Sequence, residues 1–175
     1  MENQNHAFNY AYLLKQVKAR VLLAQKKAIY TANEEMLSMY WDIGKLLSES
    51  QKQIGWGNNA LEKLANDLKN DYPEMKGFSV RNCQFMIQFY NEYNQQLTNT
   101  KRAVSYLNNN EIVLPISKLG WSHNITLMQR TKDIKARYWY MIQCLKNGWS
   151  RDFLIEAIKQ DYYHSHGALA SNFDT

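Results

Sequence analysis

Long segments of this chain repeat apolar residues at intervals of three and four positions, and few helix breakers interrupt them. Only 7 glycines and 2 prolines occur among the 175 residues. A period near 3.6 residues places apolar side chains on one face of an α-helix, where they can pack against a neighbour. The sequence therefore predicts an all-α fold, a compact domain of several helices that includes a long N-terminal helix.

Composition narrows the class of protein further. Hydrophobic residues make up 45% of the chain and aromatic residues 13%, as in folded globular domains. No apolar run is long enough to span a bilayer, and the first nine residues lack a signal-peptide core. We therefore expect a cytoplasmic protein with no membrane partner. Cys83 and Cys144 lie within apolar helical patterns, so we expect buried free thiols.

Capping residues predict where the helices begin and end. Ser79, Ser122 and Ser150 are suited to be N-caps, Asp133 begins another helix, and Gly148 is typical of a helix C-terminus. The stretch 31–34 is either a capping box between two helices or part of one bent helix. Residues 97–114 are predicted to be a polar surface loop. The expected helices cover about residues 9–30, 33–50, 58–70, 80–96, 122–130, 133–147 and 151–162.

The first helix carries a continuous apolar seam. Its members follow one another at alternating spacings of four and three residues, as the a and d positions of a heptad repeat do. About three heptads are enough to pack against a neighbour or to form a short dimeric coiled coil, so a homodimer through this helix is one expectation. The seam consists of Tyr10, Leu14, Val17, Val21, Ala24 and Ala28.

The helix that follows Ser79 has the chemistry of a DNA-reading helix. Its apolar face contains Cys83, Met86, Ile87, Phe89 and Tyr90, and its opposite face contains Arg81, Gln84, Gln88 and Asn91. No acidic residue lies between Glu74 and Glu92. Arg, Asn and Gln match purine edges in the major groove, whereas carboxylates are repelled by phosphates. An ordinary amphipathic helix with amides on its solvated face shows the same pattern, and that alternative stays open.

Basic residues cluster in two places and give the chain a net charge of +5. One cluster lies on the first helix, at Lys15, Lys18, Arg20, Lys26 and Lys27. The other contains Arg130, Lys132, Lys135 and Arg137, interrupted only by Asp133. Such clusters favour a polyanionic partner, although a charge run is often only a solvated face. We expect the second cluster to contact phosphates.

Two helix pairs compete for a helix-turn-helix role. The later pair has the shorter turn, at Gly148-Trp-Ser150, but its second helix exposes acidic residues that suit DNA poorly. Base reading is therefore assigned to the helix beginning at Val80. Together with flanking residues, the candidate DNA-binding set is Lys76, Ser79, Arg81, Asn82, Gln84, Gln88, Arg130, Lys132, Lys135 and Arg137.

Catalytic patterns are absent from the sequence. His123, His164 and His166 have no Cys or carboxylate partner at metal-ligand spacing, so no metal is expected. No phosphate-binding glycine loop is present, and no strand carries the Asp and Glu-x-Lys set that metal-dependent nucleases use. The sequence predicts no catalytic residue and no cofactor.

Several motifs in one order resemble the N-terminal domain of the YhcG family, over about residues 30–173. That resemblance implies a helical, winged-helix-like DNA-binding domain that precedes a PD-(D/E)xK nuclease domain in full-length members. It also implies DNA binding by Arg81, Asn82 and the neighbouring helix face. The motifs are Tyr40-Trp-Asp-Ile-Gly-Lys45, Gly55-Trp-Gly57 followed by Leu61, Leu64, Asp67 and Leu68, Gly77-Phe-Ser-Val-Arg-Asn82 with Met86, Phe89 and Tyr90, Trp121-Ser-His123 and Asn147-Gly-Trp-Ser150.

The expected organisation has three parts. Residues 1–32 form an N-terminal helix and a possible dimerisation element, residues 33–163 form the helical DNA-binding domain, and residues 164–175 begin an interdomain linker. The expected function is a non-enzymatic module that brings an attached or partner nuclease domain to duplex or branched DNA. The alternative is a helical protein interaction or dimerisation domain with little affinity for DNA.

Overall fold

All regular elements of the described residues are helical. The computed structural model describes residues 10–54, 58–103 and 115–167. The all-α prediction is confirmed, including the long N-terminal helix. The elements are α1 (Tyr10–Ile54), α2 (Asn58–Asp71), α3 (Val80–Ala103), a 3-10 turn (Ile116–Lys118), α4 (Trp121–Arg130), α5 (Ile134–Asn147), α6 (Arg151–Lys159) and a π-helical turn (Tyr163–Gly167).

Helix α1 is one helix where the sequence left two possibilities. It continues through the stretch 31–34, which therefore does not act as a capping box between two helices. The physical reason is that neither glycine nor proline occurs between Tyr10 and Gly44, so nothing breaks the backbone hydrogen-bond ladder there. The boundary expected after residue 32 falls inside this helix.

The two halves of α1 have different environments. Every residue from Tyr10 to Ala32 is exposed, whereas Leu37, Tyr40 and Leu47 are buried against the rest of the domain. The apolar seam of the first half is thus not covered by any described part of its own chain.

The second half of α1 crosses α3 at very short range. A Cβ atom added at Gly44 would lie 2.1 Å from the carbonyl oxygen of Met86. One turn further along, Ser48 Oγ donates a hydrogen bond of 2.7 Å to Asn91 Oδ1. Glycine at position 44 therefore lets the two helix backbones approach until only a hydrogen atom separates them.

A core of aromatic, aliphatic and sulphur side chains joins α3 to the helices that follow. Phe89 and Tyr93 of α3 pack with Met128 of α4, Met141 of α5 and Leu154 of α6. Both cysteines are buried and unbridged, as predicted. Burial raises the pKa of the Cys144 thiol to about 11, so this thiol stays protonated and behaves as a small apolar side chain.

Most predicted helix caps are confirmed. Ser79 Oγ accepts from the amide of Asn82 at 3.2 Å, and Ser150 Oγ accepts from the amide of Phe153 at 3.2 Å. Asp133 caps α5 by accepting from two backbone amides. Gly148 ends that helix with a left-handed φ of 63°, which a residue with a Cβ rarely adopts.

Three boundaries differ from the sequence prediction. Ser122 is not an N-cap, because α4 begins at Trp121 and Gly120 precedes it as the cap. Helix α3 continues to Ala103, so the first part of the predicted 97–114 loop is helical, and residues 104–114 lie outside the described ranges. The predicted linker at 164–175 begins inside the π-helical turn, where the amide of Tyr163 donates to Tyr140 Oη at 3.1 Å, and residues 168–175 are not described.

Replacing Gly44 by Ala should destabilise the domain. The added methyl group would overlap the Met86 carbonyl, and relieving the overlap means separating α1 from α3, at a cost of about 2–3 kcal/mol. Urea unfolding of the variant and the parent measures this difference. Gly120→Ala is the matched control, because its nearest neighbour would be His123 Nδ1 at 3.8 Å. Equal losses in the two variants would contradict the close crossing.

Candidate nucleic-acid interface

The loop before α3 fixes the direction in which that helix begins. Gly77 has a φ of 130°, and a Cβ there would lie 2.7 Å from Tyr40 Oη of α1. Phe78 is buried, and Ser79 caps the first turn. The helix N-terminus, with its free amides and positive end of the dipole, is therefore held at the domain surface.

Arg81 and Gln84 are the exposed polar residues of the first turns of α3. The Arg81 guanidinium carbon lies 5.6 Å from the centre of the Phe85 ring, which steadies the side chain without neutralising its charge. Gln88, one turn further on, is half-buried and donates to Glu92 Oε2 at 3.3 Å. The predicted polar face thus exists, and it is most accessible at its N-terminal end.

Asn82 does not belong to that exposed face. Its Nδ2 donates to the Gly77 carbonyl at 2.5 Å, and its Oδ1 accepts from Trp121 Nε1 at 2.7 Å. Tyr40 is also hydrogen-bonded to Asn82; burial raises the pKa of this tyrosine, and that hydrogen bond opposes the rise. The amide is therefore occupied within the domain, and the base contact expected from Asn82 is replaced by a positioning role that joins α1, α3 and α4.

Arg137 is the second predicted site residue that lies inside the domain and not on its surface. Its side chain is only 1% exposed, so the predicted phosphate contact is wrong for this residue. The guanidinium pairs with Glu92 Oε1 of α3, and its Nε donates to the Thr131 carbonyl at 3.2 Å. It also lies 5.3 Å from the centre of the Tyr93 ring. Burial, only partly offset by the nearby guanidinium, raises the pKa of Tyr93 to about 12.

A sequence signal for the burial of Arg137 did exist. Residues 137, 140, 141 and 144 fall on one face of α5 at helical spacing, and the last three are the buried Tyr140, Met141 and Cys144. Arg137 is close in sequence to Arg130, Lys132 and Lys135, but its helical position places it on the apolar face. An arginine on such a face needs a carboxylate partner, which here is Glu92.

The Arg137–Glu92 pair joins two predicted parts of the site. Arg137 reaches the carbonyl of Thr131, which lies in the turn between α4 and α5, and Glu92 accepts from Gln88 on α3. The exposed cations in and beside that turn, Arg130, Lys132 and Lys135, are therefore held near the far end of the α3 polar face. From Arg81 to Glu92 the helix advances about 17 Å. This length exceeds the width of the DNA major groove, about 12 Å.

A pocket of about 530 Å³ opens at the other end of the face, beside the α3 N-terminus. Asn66, Lys69, Lys76 and Ser79 contribute its polar lining. Lys76 and Ser79 were predicted site residues, whereas Lys69 was not. Its signal in the sequence was its position in the last turn of α2, which the chain brings back towards the start of α3.

The model of the DUF1016 N-terminal domain matches residues 16–165. The chain belongs to this family. The match agrees with the resemblance to the N-terminal domain of the YhcG family and covers the chain from the N-terminal half of α1 to the final turn. No curated protein and no solved structure matches the chain.

Other classes of site are not seen in the described part of this DUF1016 N-terminal domain. Among the described residues, no group of three or more His, Cys, Asp or Glu side chains is placed to hold a metal ion. His123 Nε2 lies 2.9 Å from the Trp149 carbonyl oxygen, and His164 Nδ1 lies 2.7 Å from Asp161 Oδ1. None of the described helices is both long and apolar enough to cross a membrane.

Replacing Asn82 by Ala should lower the stability of the DUF1016 N-terminal domain. The change leaves the Trp121 indole N–H and the Gly77 carbonyl without their partner, and each such loss costs about 1–3 kcal/mol. Gln84→Ala, two residues away and exposed, should change stability by no more than about 0.5 kcal/mol. Thermal and urea unfolding compare the two variants. An Asn82→Ala protein as stable as Gln84→Ala would return Asn82 to the solvent-facing set.

Replacing Arg137 by Ala should be still more damaging. It removes the partner of Glu92, which is only 24% exposed, and opens a void beside Tyr93, so a loss of about 3 kcal/mol is expected. Lys135→Ala is the control, because Lys135 lies on the same helix and is exposed. Urea unfolding distinguishes them. If adding Glu92→Gln to Arg137→Ala recovered none of the lost stability, the assigned pairing would be wrong.

Proposed function

We propose that this DUF1016 N-terminal domain binds DNA, duplex or branched, through the exposed face of α3 and the turn between α4 and α5. The observation that carries the proposal is the link from Gln88 through Glu92 and Arg137 to the Thr131 carbonyl. Because of this link, the turn and its flanking cations lie at the Glu92 end of α3, whose first turns expose Arg81 and Gln84 at the other end.

Electrostatics on this surface favour a polyanion. Glu92 pairs with Arg137, and Asp133 accepts from the amides of Lys135 and Ala136. Arg130, Lys132 and Lys135 are exposed. Phosphates approaching this turn therefore meet three exposed cations and one exposed carboxylate, that of Asp133.

The residues divide into two roles. Arg81 and Gln84 face solvent near the positive end of the α3 dipole, where side chains of a recognition helix reach base edges. Arg130, Lys132 and Lys135 at one end of the face, and Lys69 and Lys76 at the other, suit phosphate contacts that hold the helix in position. Ser79 contributes through its cap, and Gln88 through its hydrogen bond to Glu92.

The biological role that follows is targeting. Full-length proteins of the YhcG family carry a PD-(D/E)xK nuclease domain after this helical domain, so binding by the helical part would bring that nuclease to its substrate. The proposal gives the present chain the binding step and no catalytic residue. Protein interaction is the second candidate function, and it is favoured by the exposed apolar residues on the first half of α1.

Fluorescence anisotropy with a labelled duplex tests the proposal. Arg81→Ala should cost about 1–3 kcal/mol of binding free energy and reduce sequence preference. Lys132→Ala or Lys135→Ala should weaken all duplexes alike and lower the salt slope by about one unit each. Gln84→Glu should bind more weakly than Gln84→Ala, because it brings a carboxylate near the phosphates.

Arg151→Ala is the matched control. Arg151 is exposed, but it begins α6 beside Asp152 and Glu156, so its removal should leave DNA affinity nearly unchanged. Melting curves confirm that each variant is folded. A parent protein that fails to bind duplex or branched DNA at low salt would overturn the proposal, as would an Arg81→Ala variant that binds as tightly as Arg151→Ala.

A further inference from the structure

The first half of α1, Tyr10–Ala32, is a helical arm in which every residue is exposed and many side chains are large and apolar. At about 1.5 Å per residue it extends roughly 35 Å. A solvated helix of this kind gains most of its stability by burying an apolar face. The exposed apolar residues of the arm include Tyr10, Leu13, Leu14, Val17, Val21, Leu22, Leu23, Ile29 and Tyr30.

A groove with matching chemistry lies between the second half of α1 and α2. It has a volume of about 560 Å³ and an almost entirely apolar lining. Two of its lining residues are strongly exposed, with Leu46 at 64% and Tyr72 at 53% of their full accessibility. Its lining residues are Met39, Ile43, Leu46, Leu47, Ser50, Leu64, Leu68, Tyr72, Met75 and Phe78.

The arm seam and the floor of this groove lie on the same side of α1. Along one unbroken helix at about 100° per residue, the seam positions of the arm fall in line with Met39, Ile43, Leu46 and Ser50. The helix therefore presents a single apolar stripe. The stripe begins on the exposed first half of α1 and continues on the second half, which lies beside α2.

This stripe is complementary to itself when a second α1 is laid antiparallel. With the two-fold axis near Ala32, four seam residues of one arm face groove-lining residues of the other helix, and Ala28 faces Met36. Near the axis, Ala24, Ala28, Thr31 and Ala32 line a shallow depression together with Arg20 and Lys27. The four small side chains would let two helices approach closely. The facing pairs are Leu14 with Ser50, Val17 with Leu46, Val21 with Ile43, Ala24 with Met39 and Ala28 with Met36.

The distribution of charged residues along α1 also favours the antiparallel arrangement. The arm carries five cations and no carboxylate between Tyr10 and Asn33. Beside the groove floor, Glu35, Asp42 and Glu49 are exposed at seven-residue intervals along one edge of α1. Two parallel arms would set cation against cation, whereas the antiparallel register brings Arg20 opposite Asp42 and Lys27 opposite Glu35.

We propose that two copies of this chain exchange their N-terminal arms, each arm lying antiparallel in the groove between α1 and α2 of the other copy. The interface is isologous, so every contact occurs twice. It buries the apolar stripe of both chains and pairs the basic arm with the acidic edge. The inference is independent of DNA binding, because it uses neither α3 nor the turn between α4 and α5.

Sedimentation equilibrium of the purified chain tests the pairing directly. The parent should be a dimer at micromolar concentration. Val17→Glu should raise the dimer dissociation constant by at least about a hundredfold, since two carboxylates enter the apolar interface. Leu23→Glu, on the opposite face of the same arm, is the control and should remain dimeric. Both positions are exposed in the single chain, so neither change threatens its fold.

A charge exchange tests the register. Arg20→Glu and Asp42→Arg should each weaken the dimer by about tenfold, because both symmetric pairs become repulsive. The double variant should recover the parent affinity. A parallel coiled coil of the two arms predicts no such recovery, since residues 20 and 42 do not meet in it.

Cross-linking gives a second measure of geometry. Oxidation of a Val21→Cys, Ile43→Cys variant should yield a covalent dimer, and a Val21→Cys, Lys45→Cys variant should not, because Lys45 lies on another side of α1. A folded parent that is monomeric at 100 µM, whether or not it binds anionic vesicles, would overturn the proposal. So would a dimer that survives Val17→Glu or lacks the first cross-link.

Discussion

The crossing of α1 and α3 at Gly44 is the contact on which the rest of this domain depends. A glycine in the middle of a long helix costs about 1 kcal/mol relative to alanine, and here that cost is offset by backbone contact that no larger residue allows. Once the two helices touch at Met86, Ser48 comes within hydrogen-bond distance of Asn91. Tyr40 likewise comes to lie against Gly77 and Asn82, where Trp121 of α4 completes the group. The direction of the α3 N-terminus follows from these contacts.

Whether a polar residue of α3 is enclosed or exposed depends on its partners and not on its chemical type. Asn82 and Arg81 are neighbours in sequence, yet the amide is enclosed by three helices and the guanidinium faces solvent. The same division separates Arg137 from Lys135 on α5. In each pair one residue is hydrogen-bonded within the domain and the other is exposed on its surface. Interior hydrogen bonds of this kind hold exposed side chains in place, which any recognition surface requires.

Sequence reasoning found the elements that depend on local chemistry. The caps at Ser79, Asp133 and Ser150 and the left-handed Gly148 were recognisable because each acts within a few residues of the chain. The continuity of α1 does not follow from its sequence, because a Thr-Ala-Asn-Glu stretch can either cap a helix or lie within one. The burial of Asn82 and Arg137 depends on Trp121 and Glu92, which are distant in sequence, so it follows only from the fold. The groove between α1 and α2 was missed for the same reason, since its two walls come from separate helices.

The length of α1 also sets a spacing. In an arm-exchanged pair with its two-fold axis near Ala32, the crossing of α3 at Gly44 lies about 18 Å from the axis in each copy. The two crossings are therefore about 36 Å apart, close to the rise of one turn of B-form DNA, about 34–36 Å. A single rigid helix would thus set the distance between the two copies of the proposed DNA-binding face. The helical repeat of a duplex, more than the sequence of either half-site, would then decide which sites such a pair can occupy.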